Sequence, residues 1–142
     1  MGNLFDKHVT VWHVPVYTSA TLTIDGNSGL TAFPDPIGQA GAVFYPLSFE
    51  LEGQNITTDE TLTLAVGLYP TNDAAWSIGS VTFAAATAGT PKPPLEKFPG
   101  DITTTGLSGL VPCPPYFLAA WTLAGTTKSM NFILYASGVL VR

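Results

Sequence analysis

The sequence predicts an all-β fold: a single antiparallel β-sandwich, jelly-roll-like in character, preceded by an extended N-terminal arm. Three observations lead there. Apolar residues recur with period two, as in Thr61 to Tyr69, where Leu62, Leu64, Val66 and Leu68 alternate with Thr61, Thr63, Ala65 and Gly67. No segment repeats its apolar residues at a period of 3.6, and 12 prolines with 14 glycines interrupt any run long enough for a stable helix. Short runs rich in Thr, Val and aromatic residues are separated by turn chemistry, the pattern of a sandwich rather than of βαβ units.

The elements follow in chain order. Residues 1–18 hold Leu4, Phe5, Val9, Val11, Trp12, Val14, Val16 and Tyr17, alternating at Val9, Val11 and His13 with no hairpin partner nearby. Such an arm either lies along its own sandwich or reaches onto a neighbour. Thr21 to Ile24 alternates and ends in Asp25-Gly26-Asn27-Ser28-Gly29, a turn sequence. Val43 to Glu52 sets Leu47, Phe49 and Leu51 on one face and Ser48, Glu50 and Glu52 on the other. The two glutamates read as a charged edge that resists strand addition, and Asp59-Glu60 reads as a turn. After Thr61 to Tyr69, Trp76 to Phe83 gives a shorter strand, and Ala84 to Ala88 allows a turn of helix ended by Gly89.

Proline-rich loops lie near 89–99 and 111–115. A compatible proline removes freedom from the unfolded chain, worth about 0.4–1 kcal/mol per site, so these loops read as stiff and contact-making. Tyr116 to Leu123 and Met130 to Val141, joined by Ala124-Gly125-Thr126-Thr127, complete the chain. The division is therefore an arm, 1–18, and a sandwich domain, 19–142.

Composition excludes several functions. Net charge is −5 and only 5 of 142 residues are Lys or Arg, scattered along the chain, so no basic stripe exists to meet nucleic acid. The uncharged stretches His8 to Ile24 and Ile102 to Thr127 are too rich in proline, threonine and glycine to cross a membrane as helices. Cys113 is the single cysteine, which rules out an internal disulfide. The opening Met-Gly-Asn-Leu-Phe-Asp-Lys lacks the basic start and apolar run of an export signal, so synthesis in a cytoplasm is expected. Charged residues make up 11% of the chain, against about 25% in an average soluble domain. Part of such a surface is expected to meet another protein.

Candidate chemistry is sparse. His8 and His13, five apart on an extended segment, fall on opposite strand faces and make a poor metal pair. Neither has a motif-defined Ser or Cys partner, and no nucleophile elbow, phosphate loop or calcium loop is present. Glu50 and Glu52 share a strand face at a spacing compatible with glycoside hydrolysis, which leaves a small jelly-roll enzyme as a third reading. No cofactor is expected. Exposed aromatics such as Trp76 and Tyr69 suit a glycan- or receptor-binding module of a tail or fibre, the alternative function.

Two stretches carry a resemblance. Thr58-Asp59-Glu60-Thr61-Leu62-Thr63-Leu64-Ala65-Val66-Gly67-Leu68-Tyr69, followed by Asn72-Asp73-Ala74-Ala75-Trp76, is similar to a segment of small β-sandwich structural proteins of tailed phages. So is Pro115-Tyr116-Phe117-Leu118-Ala119-Ala120-Trp121-Thr122-Leu123-Ala124-Gly125-Thr126, where the pattern has a hairpin leading into the last strand, here Asn131-Phe132-Ile133-Leu134. The chain departs from that pattern at Ala74 and Ala75, where glycines are usual, and residues 1–57 carry none of it. Among these proteins it most resembles the head decoration, or cement, proteins of thermophilic siphophages.

The resemblance implies a structural virion protein without catalysis. It would form a homotrimer on the outside of the phage head, bind the major capsid protein and stabilise the shell. Heat resistance is a further expectation, resting on the proline-rich loops and the single free cysteine. The contacts would come from the arm and the first proline loop, with Leu4, Phe5, Val9, Val11, Trp12, Val14, Tyr17, Pro93, Pro94 and Phe98 as interface candidates.

Overall fold

The computed structural model describes residues 9–35, 37–38, 40–56, 60–75, 77–87, 95–97, 103–104, 113–126 and 128–141. Among the described residues ten strands account for the secondary structure: β1 (Val9–Thr18), β2 (Gly26–Asn27), β3 (Thr31–Ala32), β4 (Val43–Gln54), β5 (Thr61–Tyr69), β6 (Gly79–Thr87), β7 (Leu95–Lys97), β8 (Thr103–Thr104), β9 (Tyr116–Ala124) and β10 (Asn131–Val141). They form two antiparallel sheets, one in the order β1-β10-β4-β7 and one in the order β2-β9-β5-β6-β8, with β3 also on β9. No helix occurs among the described residues, and the all-β sandwich expected from the alternation is the fold observed.

The alternation is obeyed most strictly on β5 and β10. On β5 every second residue from Leu62 to Leu68 is buried, and on β10 the same holds from Phe132 to Leu140. Phe49 and Leu51 of β4, Phe132 and Leu134 of β10, and Val14 and Val16 of β1 form one inner face. The other comes from β5, Val81 and Phe83 of β6, and Phe117, Ala119 and Leu123 of β9. Each fully buried Leu, Phe or Val contributes about 1.5–3 kcal/mol relative to exposure.

Strands β5 and β6 form a hairpin within one sheet, closed by Ile78 N donating to Leu68 O at 2.9 Å. β4 and β5 lie in different sheets, and the crossing begins at Asn55, whose φ of 55° is one that Asn tolerates better than most side chains. β9 and β10 also lie in different sheets, turning at Gly125 with φ 134°. The hairpin implied before the last strand is therefore not a pairing of β9 with β10: β9 pairs with β5, and β10 lies between β1 and β4.

Four local expectations are corrected. Ala84 to Thr87 continue β6 instead of forming a helical turn, because the ladder to β5 pairs Ala86 with Leu62 and Thr87 with Thr61. Of the expected Asp59-Glu60 turn, Glu60 is 2% exposed and Asp59 lies outside the described residues. The loop near 89–99 contains β7, its proline-free stretch, which retains the N–H groups a ladder needs. Because β7 covers β4 at Phe49–Leu51 and β10 flanks its other side, Glu50 does not mark a free edge. A bulge also breaks the alternation at Leu47, since Ser48 pairs with Ser137 and Pro46 with Gly138.

Of the two courses open to residues 1–18, positions 9–18 take the first and lie along their own sandwich. β1 pairs with β10 from Val9↔Val141 to Thr18↔Ile133, bulging between Pro15 and Tyr17. Pro15 is tolerated because β1 is an edge strand.

Candidate functional site

The densest group of polar side chains with chemical potential stands on the outer face of the four-stranded sheet. Strand register builds it. β1 sets His13 opposite Ser137 of β10, and β10 sets Tyr135 opposite Glu50 of β4. His13 Nδ1 lies 2.7 Å from Ser137 Oγ and 3.6 Å from Glu50 Oε2, while Ser137 Oγ donates to Glu50 Oε1 at 3.4 Å. The imidazole lies against the Tyr135 ring, whose hydroxyl donates to Glu52 Oε2 at 3.3 Å. Gln54 Nε2 donates to Glu52 Oε1, and Gln54 Oε1 accepts from Asn131 Nδ2. A polar seam therefore runs over three strands.

Its electrostatics are those of a surface. Tyr135 ionises above the ordinary phenol range, first because the site desolvates the phenolate and then because Glu52 and Glu50 repel it. Serine, histidine and a carboxylate together suggest nucleophilic catalysis, but the geometry differs. In a relay the imidazole bonds the serine through one ring nitrogen and the acid through the other. Here Ser137 and Glu50 both approach Nδ1, so the carboxylate does not orient the ring from the side opposite the serine. The arrangement ties β1 to β10 and β4. Among the described residues no group of three or more His, Cys, Asp or Glu could hold a metal ion.

The interface candidates fall in different places. Leu4, Phe5, Pro93, Pro94 and Phe98, with Trp76 of the glycan reading, lie outside the described residues. Val14 is 7% exposed and belongs to the chain's own core. Tyr17 packs inward on Phe117, Trp121 and Phe132. In the β1–β10 ladder Trp12 pairs with Gly138, Val9 with Val141 and Val11 with Val139. Tyr69 lies against its own sheet, with ring atoms 2.8 Å from where a Cβ on Gly67 would sit. Cys113 is half-buried against the core, and burial pushes its thiol far above the ordinary range.

Sequence reasoning placed Glu50 and Glu52 outward but missed Ser137 and Tyr135 as partners of His13. Only the register of β1 on β10 brings them together, and no local pattern encodes it.

No family model and no curated protein matches the chain. Solved structures do. A chain of Desmodium yellow mottle tymovirus superposes with a TM-score of 0.52 at 14% identity, covering 99% of this chain and 84% of that one. A chain in the structure of turnip yellow mosaic virus gives 0.49 at 15% identity, covering 95% and 91%. One of infectious bursal disease virus strain Gx gives 0.42 at 10%, covering 95% and 32%. The first of these likenesses shows a shared two-sheet fold over nearly the whole chain.

Proposed function

We propose that the chain is a structural virion protein: a homotrimeric decoration protein that binds the outside of a phage head through the major capsid protein and stabilises the shell. The observation that carries this reading is the two-sheet fold shared, almost end to end, with a chain of a tymovirus. The charge pattern supports it, because a chain with 11% charged residues has surface better suited to protein contact than to solvent. The seam geometry supports a non-catalytic role, since its serine, histidine and acid are not arranged as a relay. Residues 1–8 and the proline loops are the proposed capsid contacts.

The test is mass in solution by light scattering together with co-sedimentation on purified expanded heads. Full-length protein is expected at the mass of three chains and to sediment with the heads. Deleting residues 1–8, which leaves β1 intact, is expected to weaken head binding. A monomer with no affinity for heads overturns the proposal.

A further inference from the structure

One edge of the sandwich is long and open. The strands that end the two sheets are β1, β7, β2 and β8, of 10, 3, 2 and 2 residues. Elsewhere the chain covers its edges. Along β9, where β2 and β3 are short, side chains stand in for a strand: Leu123 N donates to Asp25 Oδ1 at 2.8 Å and Ala119 N to Ser28 Oγ at 2.9 Å. Among the described residues no strand lies on the far side of β1. Residues 9–18 also contain no Lys, Arg, Asp or Glu, the charges with which natural edges ward off another strand. Strand geometry says which backbone groups face outward. Ser19 N donates to Phe132 O, so by alternation Leu134, Ala136, Gly138 and Leu140 of β10 bond β1, through Tyr17, Val14, Trp12 and Thr10. The N–H and C=O groups of Val9, Val11 and His13 therefore point away from β10, and Pro15, which has no N–H, falls in the same outward set.

We infer that β1 pairs antiparallel with β1 of a second copy about a two-fold axis at Val11, joining two four-stranded sheets into one of eight. In that register Val11 meets Val11 of the second copy and Val9 meets its His13, so each outward N–H finds a carbonyl. Pro15, without a donor, marks where the pairing stops. The open edge alone would accept any extended segment. A lone foreign strand, however, would leave its own outer edge open in place of that of β1. A second copy closes both edges at once, and the joined sheet then ends on either side in the three-residue β7. This pairing goes beyond the proposed function and does not need the trimer, because it doubles whatever unit the chain otherwise forms. One strand per copy covers less than the roughly 1,600 Å² of a standard interface, so the doubling depends on concentration.

The experiment follows mass by light scattering over about a 100-fold concentration range, with circular dichroism for folding, in wild type, Val11→Lys and Val11→Glu. Wild-type mass is expected to double as concentration rises. Each variant sets like charges opposite each other at the axis and is expected to weaken doubling by about 10-fold. An equimolar mixture of the two is expected to double as wild type does, because position 11 then faces the opposite charge, a recovery that only pairing of copies gives. If the charged variants fail to fold, Val11→Pro, which removes an outward donor and spares the β10 ladder, decides. Variants that double like wild type, or a mixture that does not recover, overturn the inference. A wild type that never doubles overturns it as well, and if the variants then lose head binding, the edge belongs to the shell protein. The unit mass at low concentration, one chain or three, tests the trimer separately.

Discussion

The His13 imidazole lies nearly parallel to the Tyr135 ring, with centroids 4.7 Å apart and planes inclined by 15°. A ring pair in this geometry contributes about 0.5–1.5 kcal/mol beyond the area it covers. His13 stands on the edge strand and Tyr135 on its neighbour, so the stack and the Ser137 bond hold the edge of the sheet. A double-mutant cycle with His13→Ala and Tyr135→Ala is expected to give a coupling of about 1 kcal/mol in urea denaturation. A coupling near zero would show that the stack does not hold β1.

The Tyr135 hydroxyl is the alkaline-sensitive point of the same seam. Its ionisation is raised by desolvation, then by the charge and hydrogen bond of Glu52, then by Glu50. The sign follows from linkage: a raised group contributes stability that is full below the ordinary phenol value of about 10 and is lost as pH climbs above it. Glu52→Gln removes the nearer charge and is expected to move tyrosine ionisation toward lower pH in ultraviolet difference titration. An unchanged curve would count against Glu52 as a cause.

Two glycines separate rigid from yielding neighbours. A Cβ on Gly138 would fall 2.3 Å from Tyr45 O and 2.7 Å from Phe44 Cζ, a carbonyl and a buried ring that cannot both retreat. On Gly67 it would meet only the Tyr69 side chain, at 2.8 Å from Cε2. Gly138→Ala is therefore expected to destabilise by about 3 kcal/mol, the upper range for overpacking, and Gly67→Ala by about 1 kcal/mol or less. Denaturant midpoints will rank them, and the reverse order would contradict this packing.

Legibility in the sequence followed the physical range of each interaction. The inner face of β5, Leu62 to Leu68, could be read because alternation is local. The sheet changes at Asn55 and Gly125 could not, because a turn sequence does not say which sheet receives the next strand. β7 was hidden among prolines, since three residues set no period. The seam was half legible: Glu50 and Glu52 were placed outward, but their partners Ser137 and Tyr135 lie far away in sequence and are joined to them only by register.

Cys113 offers a chemical test of burial. The thiolate is the reactive form, and desolvation holds the thiol neutral well beyond its ordinary value of about 8.5. Alkylation at pH 8 is expected to be slow in the native protein and to rise at least 10-fold on unfolding. Because the folded thiol ionises later than the unfolded one, stability falls as pH rises above about 8.5. Rapid native alkylation would contradict the burial.

If subunit association supplies the heat resistance expected from the sequence, melting temperature rises with protein concentration, because mass action favours the assembled state. Few ion-pair networks can be built from 15 charged residues, so association is the larger expected source. Scanning calorimetry over a 100-fold concentration range tests this, and a constant melting point would contradict it.

The partnership of β1 with β10 has a consequence in time. The first described strand finds its place only against the last, so the sheet they share cannot close until residues 131–141 have left the ribosome. Contacts so distant in sequence make folding slow. Until β10 arrives, Val14 and Val16 have no β10 ladder to hold them against the core, and that face of β1 stays open to wrong partners.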